Sequence, residues 1–327
     1  MDKLLMVQNL TKKYPIKGGF FQRVINHVHA VTDVTLDLKK GETLGLVGES
    51  GCGKSTLGRH IMFLEKPTSG KVIFRNEDLT HLSDRDIRIR RSAFQMIFQD
   101  PFSSLNPKMT VQDLLCEPIK NFYPKKKKKE IEDLVTRLMI DVGLRPEYAT
   151  RYPHEFSGGQ RQRISIGRAL ASNPELVVCD EPVSALDVSI QAQILNLMIG
   201  LQEKYGFSFV FISHDLHVVR HISDRIAVMY LGRIVELGPA EAICNHALHP
   251  YTKALLSAVP KVDANSKRNR MILQGDVPSP INPPKGCAFH PRCPFADESC
   301  KQEVPQLENF VEGHQVACIR VKEINNQ

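Results

Sequence analysis

The chain has 327 residues, 42% of them hydrophobic and 24% charged, which is ordinary for a soluble globular protein and enough for one large domain plus a smaller one, with a core that needs no disulfide staples. No apolar run reaches the roughly eighteen residues of a membrane-spanning helix, and the start Met1-Asp2-Lys3-Leu4-Leu5 lacks a signal-peptide layout, so the protein is expected to stay in the cytoplasm. The formal charge of +7 and pI near 8.9 would suit an anionic surface, but the basic run Lys125–Lys129 has no interleaved aromatics for base stacking and reads as a solvated helix start, so no nucleic-acid partner is expected.

Residues 1–40 alternate apolar and polar, as in Leu4-Leu5-Met6-Val7 and Ala30–Leu36, and predict half-buried antiparallel strands. Thr43–Val47 predicts a short apolar strand and Thr56 to Phe63 a helix. Residues 100–165 are punctuated by Pro101, Pro107, Pro118, Pro124 and Pro153, and predict a helical insertion of short pieces. One piece, Lys128 to Val142, carries Ile131, Leu134, Val135, Leu138 and Met139 on one face. Leu176–Cys179 and Phe207–Ile212 read as fully buried strands, separated by an amphipathic helix carrying Ile190, Ile194, Leu197, Met198 and Leu201. Strands alternating with helices predict an α/β fold with a mainly parallel sheet. No internal repeat is found. The boundaries expected are residues 1–238 for the main domain, with the helical insertion at about 100–165, and 239–327 for a small irregular extension rich in Pro, Asn and Gly.

Gly48-Glu49-Ser50-Gly51-Cys52-Gly53-Lys54-Ser55, followed by Thr56, stands between the strand and helix predicted above. Glycines let successive backbone N–H groups face a phosphate, and the helix N-terminus favours the same anion. Lys54 would reach the β- and γ-phosphates and Ser55 would ligate Mg²⁺. Leu176–Cys179 carries Asp180 and Glu181 to the end of a buried strand, where Asp180 can hold Mg²⁺ and Glu181 can polarise the attacking water. Cys52 reads as a variable loop position without a catalytic role.

Phe156-Ser157-Gly158-Gly159-Gln160-Arg161-Gln162-Arg163 resembles the signature motif of ATP-binding cassette (ABC) ATPases, with Phe156 where leucine is usual. Gln99 matches that family's Q-loop glutamine, Ser184-Ala185-Leu186-Asp187 its D-loop, His214 its switch histidine, and Tyr14 the aromatic that stacks on adenine, although an aromatic beside an N-terminal strand can also be core. The resemblance covers residues 1 to about 238 and implies a RecA-like P-loop core with N-terminal antiparallel strands. It implies ATP hydrolysis in a head-to-tail dimer, with Ser157, Gly158, Gly159 and Gln160 serving the γ-phosphate held by the opposite subunit, His214 donating to it, and Gln99 sensing Mg²⁺ or the water.

Leu248–Leu256, Gly286–Pro294 and Asp100–Pro107 resemble the corresponding stretches of oligopeptide/dipeptide importer ATPases, most closely the F-type subunit. That resemblance implies a D-type ATPase partner, two membrane permease subunits, an extracytoplasmic peptide-binding protein acting indirectly, and a peripheral place on the cytoplasmic face of the membrane. Nickel importers share the extension, so nickel stays open as the cargo. Cys287, Cys293, Cys300 and Cys318 lack the tight spacing of zinc ribbons; four thiolates could hold a [4Fe–4S] cluster, which the resemblance supports, while zinc or unligated thiols stay open. A soluble ABC ATPase acting on DNA or ribosomes would need coiled-coil heptads or a second cassette, and a small kinase or GTPase would lack the signature.

Overall fold

Uninterrupted apolar runs become buried parallel strands in the computed structural model, which describes residues 2–258, 271 and 273–325. The chain forms two units that interleave along the sequence: Leu38–Thr43 and His81–Ile212 with Asp2 make one, and Lys3–Asp37, Leu44–Thr80 and the residues from Ser213 onward make the other.

In the first unit, strands Phe94–Ile97, Leu176–Asp180 and Ser208–Ser213 run parallel, with Ile97 opposite Cys179 and Asp180 opposite Ile212. Every residue of Leu176–Asp180 is buried, and the strand ends on the Asp180 carboxylate. Helix Lys128–Asp141 buries Ile131, Val135, Leu138 and Met139 as their spacing predicts, each contributing about 1.5–3 kcal/mol before its lost rotamer freedom is counted. Helix Val188–Tyr205 buries Ile194, Leu195, Met198 and Leu201 and stops at Gly206, whose φ of 71° is the left-handed cap glycine tolerates. Asp141 accepts from Lys204 Nζ at 2.6 Å and from the Tyr205 hydroxyl. Pro118 does not punctuate the insertion; it lies inside helix Val111–Phe122, where the Thr110/Asp113 capping box and the buried face of Val111, Leu114, Leu115 and Ile119 outweigh one lost hydrogen bond.

In the second unit, Lys3–Gly18 and Arg23–Lys39 are neighbouring strands, and Lys3–Gly18 pairs antiparallel with Ser69–Phe74, Val7 facing Val72. Strand Thr43–Val47 runs parallel to Arg225–Tyr230, Gly45 facing Ile226. Arg225–Tyr230 pairs antiparallel with Arg233–Pro239. The extension is less irregular than its composition predicts: His314–Val316 adds to Arg233–Pro239, and Glu308–Val311 adds beyond it. Glu236, fully buried in Arg233–Pro239, accepts from the backbone N–H of Leu248 at 2.7 Å and of His249 at 3.1 Å, and shares a 2.8 Å bond with His314 Nε2. Alternation alone could not reveal that partnership, because its members lie far apart in sequence. Among the described residues, no helix is long and apolar enough to cross a membrane.

Candidate nucleotide site

Strand Thr43–Val47 runs into the Gly48–Gly53 loop, and helix Lys54–Ile61 begins two residues earlier than the sequence predicts, placing Lys54 and Ser55 in its first turn. Two glycines are dictated by space. A Cβ on Gly48 would meet the Met229 carbonyl at 2.2 Å, and one on Gly53, at φ 105°, would meet the Ala30 carbonyl at 2.1 Å. Lys54 is 5% exposed, and its ammonium donates to the Gly48 and Glu49 carbonyls at 2.8 and 3.0 Å and approaches Cys52 Sγ at 3.8 Å. Ser50 and Gly51 are exposed, while Ser55 and Thr56 are half-buried. Burial pushes the Cys52 thiol up, which keeps it protonated. The loop is therefore curled around the Lys54 ammonium, which two of its carbonyls hold.

Tyr14 is half-buried. Its hydroxyl donates to Glu65 at 2.7 Å, and the Lys12 ammonium stands 4.8 Å over its ring. Burial and the bond to Glu65 raise its hydroxyl to about 12.

The first unit brings Gln99 and Glu181 together: Gln99 Nε2 donates to Glu181 Oε2 at 3.2 Å. Asp180 precedes Glu181 at the end of the buried strand. Glu181 has φ 49°, a left-handed conformation that costs a non-glycine residue about 1–2 kcal/mol. Its N–H bonds the Ile212 carbonyl at 3.0 Å, and Ser184 Oγ bonds its carbonyl at 3.0 Å, holding the carboxylate in that turn. Asp187 is exposed at the N-cap of helix Val188–Tyr205 and makes no side-chain cap. Beside it Val188 is 81% exposed, an apolar residue that no sequence motif marks. His214, in the second unit, is exposed directly after strand Ser208–Ser213.

Ser157 caps helix Gly158–Leu170 through a reciprocal box with Gln160: Ser157 N–H donates to Gln160 Oε1 at 3.0 Å and Gln160 N–H to Ser157 Oγ at 3.4 Å. Ser157 is exposed, Gly158 and Gly159 are half-exposed, and Phe156 is buried at 5% exposure, where its ring meets Tyr148 edge-on at 5.8 Å.

The four tail cysteines line one small cavity with Phe295 and Ile319. Gly286, at φ 67°, lets the chain pass where a Cβ would lie 2.5 Å from the Cys300 carbonyl, and Cys287 N–H bonds that carbonyl at 2.8 Å. Burial pushes the Cys287 thiol up and those of Cys293 and Cys318 to about 11, with the neighbouring thiols adding to the rise. Among the described residues no group of three or more His, Cys, Asp or Glu side chains stands in metal-holding geometry.

Two contacts to the loop were invisible in the sequence. Arg292 bonds both carboxylate oxygens of Glu49, and the Tyr251 hydroxyl accepts from Glu49 N–H. Arg292 stands 243 residues from Glu49, and no local pattern marks such a pair.

Fold and loop together define a P-loop nucleotide-binding cassette. Solved structures agree: the dimeric ATP-binding cassette MJ0796 bound to ADP and Pi superposes with TM-score 0.64 at 31% identity over 72% of this chain and 98% of that one. The family model for ABC transporters matches residues 31–184, and that for the oligopeptide/dipeptide transporter C-terminal region matches residues 235–300. The oligopeptide transport ATP-binding protein AppF of Bacillus subtilis is 52% identical, covering 97% of both chains. OppF of Salmonella typhimurium is 52% identical over 97% of this chain and 96% of its own. The dipeptide transport protein DppF of Haemophilus influenzae is 49% identical over 97% of both. The chain belongs to the ABC transporter ATP-binding family, and is an ATPase of its oligopeptide/dipeptide transporter branch.

Proposed function

We propose that the chain hydrolyses ATP to power uptake of di- or oligopeptides through membrane permease partners. The observation that carries the chemistry is the Gln99–Glu181 contact at the end of buried parallel strands, in a chain whose phosphate loop already encircles Lys54. The cargo reading rests on the near-full-length similarity to AppF, OppF and DppF, which includes the cysteine-bearing tail.

In this reading the N–H groups from Ser50 to Thr56 and the Lys54 ammonium bind the phosphates, while Ser55, Asp180 and Gln99 would hold Mg²⁺, directly or through water. Glu181 polarises the attacking water, and His214 donates to the γ-phosphate. With Lys12 over one face of Tyr14, adenine stacks on the other. Ser157, Gly158, Gly159 and Gln160 face the ATP of a second ATPase subunit of the D type, and exposed Asp187 and Val188 lie in that interface. Two permeases and an extracytoplasmic binding protein complete the transporter, with this chain peripheral on the cytoplasmic side.

The tail cysteines fit a [4Fe–4S] cluster in donor chemistry: four thiols share one cavity. Burial and thiol neighbours disfavour bare thiolates there, and a cluster's positive charge offsets that cost. A cluster held there would be structural. Iron and sulfide content with the visible spectrum of protein purified without oxygen tests this; zinc or no metal refutes the cluster and leaves the ATPase reading intact.

Lys54→Ala abolishes ATP hydrolysis and peptide uptake in the assembled transporter. Retained turnover overturns the site. Loss of nickel rather than peptide accumulation reassigns the cargo.

A further inference from the structure

The phosphate loop is not held by its own strand and helix alone. Glu49, its second residue, is gripped twice by the tail. Arg292 Nη1 and Nη2 bond the two Glu49 carboxylate oxygens at 2.7 and 3.1 Å, and the Tyr251 hydroxyl accepts from Glu49 N–H at 2.9 Å. Neither anchor is a loose surface group. The Arg292 side chain is 8% exposed, and Tyr251 is fully buried. Tyr251 packs against Tyr230 at 4.7 Å between ring centres and against Phe289 at 5.4 Å, and the Arg292 guanidinium stands 5.9 Å from the Tyr230 ring. Tyr230 and Phe289 are themselves 5.2 Å apart, edge to face. A buried aromatic cluster thus fixes both groups before they reach the loop, and a bidentate guanidinium–carboxylate pair fixes orientation as well as distance.

The chemistry gives this grip a direction. A loop that must bind a polyphosphate carries a carboxylate in its second position, and an unpaired carboxylate there repels the ligand. Arg292 neutralises it. Tyr251 takes the Glu49 N–H and so pins the entry of the loop. We infer that Arg292 and Tyr251 are positioning residues for nucleotide binding: the tail supplies the counter-charge and the anchor that keep the phosphate loop ready for ATP. This rests on the reading of residues 48–55 as the ATP site.

The arrangement also ties the loop to the cysteine cavity. Arg292 immediately precedes Cys293, and Tyr251 immediately follows Pro250, which lines that cavity together with Phe289. Whatever shapes the cavity shapes the two anchors.

The test compares full-length Arg292→Met, Arg292→Lys, Tyr251→Phe, Glu49→Gln and the double variant Glu49→Gln/Arg292→Met. ATP affinity is read with a fluorescent ATP analogue at low and high salt, and kcat in the assembled transporter. Arg292→Met is expected to weaken ATP binding about tenfold, from exposing one like charge beside a polyanion in a partly buried site. Its kcat stays within about twofold, Arg292→Lys recovers part of the loss, and Tyr251→Phe weakens binding about threefold. Glu49→Gln binds ATP at least as tightly as the native protein, and the double variant returns to within about twofold of it. High salt narrows the Arg292→Met deficit. A purely structural pin would instead make Glu49→Gln and Arg292→Met equally harmful, and that result overturns the inference. So does native affinity in Arg292→Met. Should Arg292→Met fail to fold, the sign of the Glu49→Gln effect still decides. Lys54→Ala separates the two levels: if it binds ATP normally, the site reading fails; if it loses ATP while Arg292→Met does not, only the tail's role fails.

Discussion

His249 makes the stability of the tail depend on pH in a way that can be calculated. The residue is 1% exposed, and its Nδ1 accepts from Tyr251 N–H at 3.1 Å at the start of helix Pro250–Ala258. Burial disfavours the imidazolium and lowers its pKa from 6.5 to about 4, against an opposing pull from Glu236, whose other neighbour is His314. Below pH 6.5 the unfolded chain takes up a proton that the native chain refuses until about pH 4. Native stability from this group is therefore complete above pH 6.5 and is lost as the pH falls through that window. At about 1.4 kcal/mol per pH unit of difference, the loss between pH 7.5 and 5.0 is about 2 kcal/mol, a large part of the 5–15 kcal/mol typical of a folded domain. His249→Asn keeps an acceptor near the Nδ1 position and cannot titrate. Urea unfolding of both proteins at the two pH values isolates the group, because every other titration is shared. The native protein should lose about 2 kcal/mol more than His249→Asn. Equal losses refute the assignment of a suppressed imidazolium at this position.

Three further outcomes are expected. Glu181→Gln keeps a hydrogen-bond partner for Gln99 but loses the base, so phosphate release falls by about 10²–10⁴-fold while ATP holds the subunits together on size exclusion; turnover within tenfold of native removes Glu181 from the chemistry. Gly53→Ala forces a Cβ to 2.1 Å from the Ala30 carbonyl at φ 105°, which deforms the loop and abolishes ATP binding, and calorimetric titration with ATP checks it. Glu236→Leu strands two backbone N–H groups and the His314 imidazole in the interior and lowers unfolding stability by about 3 kcal/mol, seen as a tail that proteases clip faster.

The parts legible in the sequence are those whose cause is local. The glycine-rich turn between strand and helix was read from its fixed offsets, and Gly48 and Gly53 have the positive φ such a turn requires, with Lys54 bonded back to the Gly48 carbonyl. Helix Lys128–Asp141 follows its apolar spacing, and the signature helix starts where Ser157 and Gln160 cap each other. Pro118 misled because a proline reads as a break, whereas packing around it decided otherwise. In helix Val188–Tyr205 the buried residue is Leu195, with Leu197 only half-buried, a rotation too small for pattern alone to fix. The tail was least legible. Its order comes from Glu236 meeting His314 and from Arg292 meeting Glu49, bonds between residues 78 and 243 positions apart, which no window of sequence contains.

The late strand His314–Val316 has a consequence for how the protein is made. During synthesis Arg233–Pro239 leaves the ribosome long before the strand that covers its free side. Until then it is an open edge, able to pair with any extended chain nearby. Glu236 stands in the middle of that edge, and a carboxylate without its partners resists being buried against a foreign strand. The same side chain that later locks the tail in place thus guards the unfinished chain: the Leu248 and His249 N–H groups reach it first, and its bond to His314 forms only when the last segment arrives.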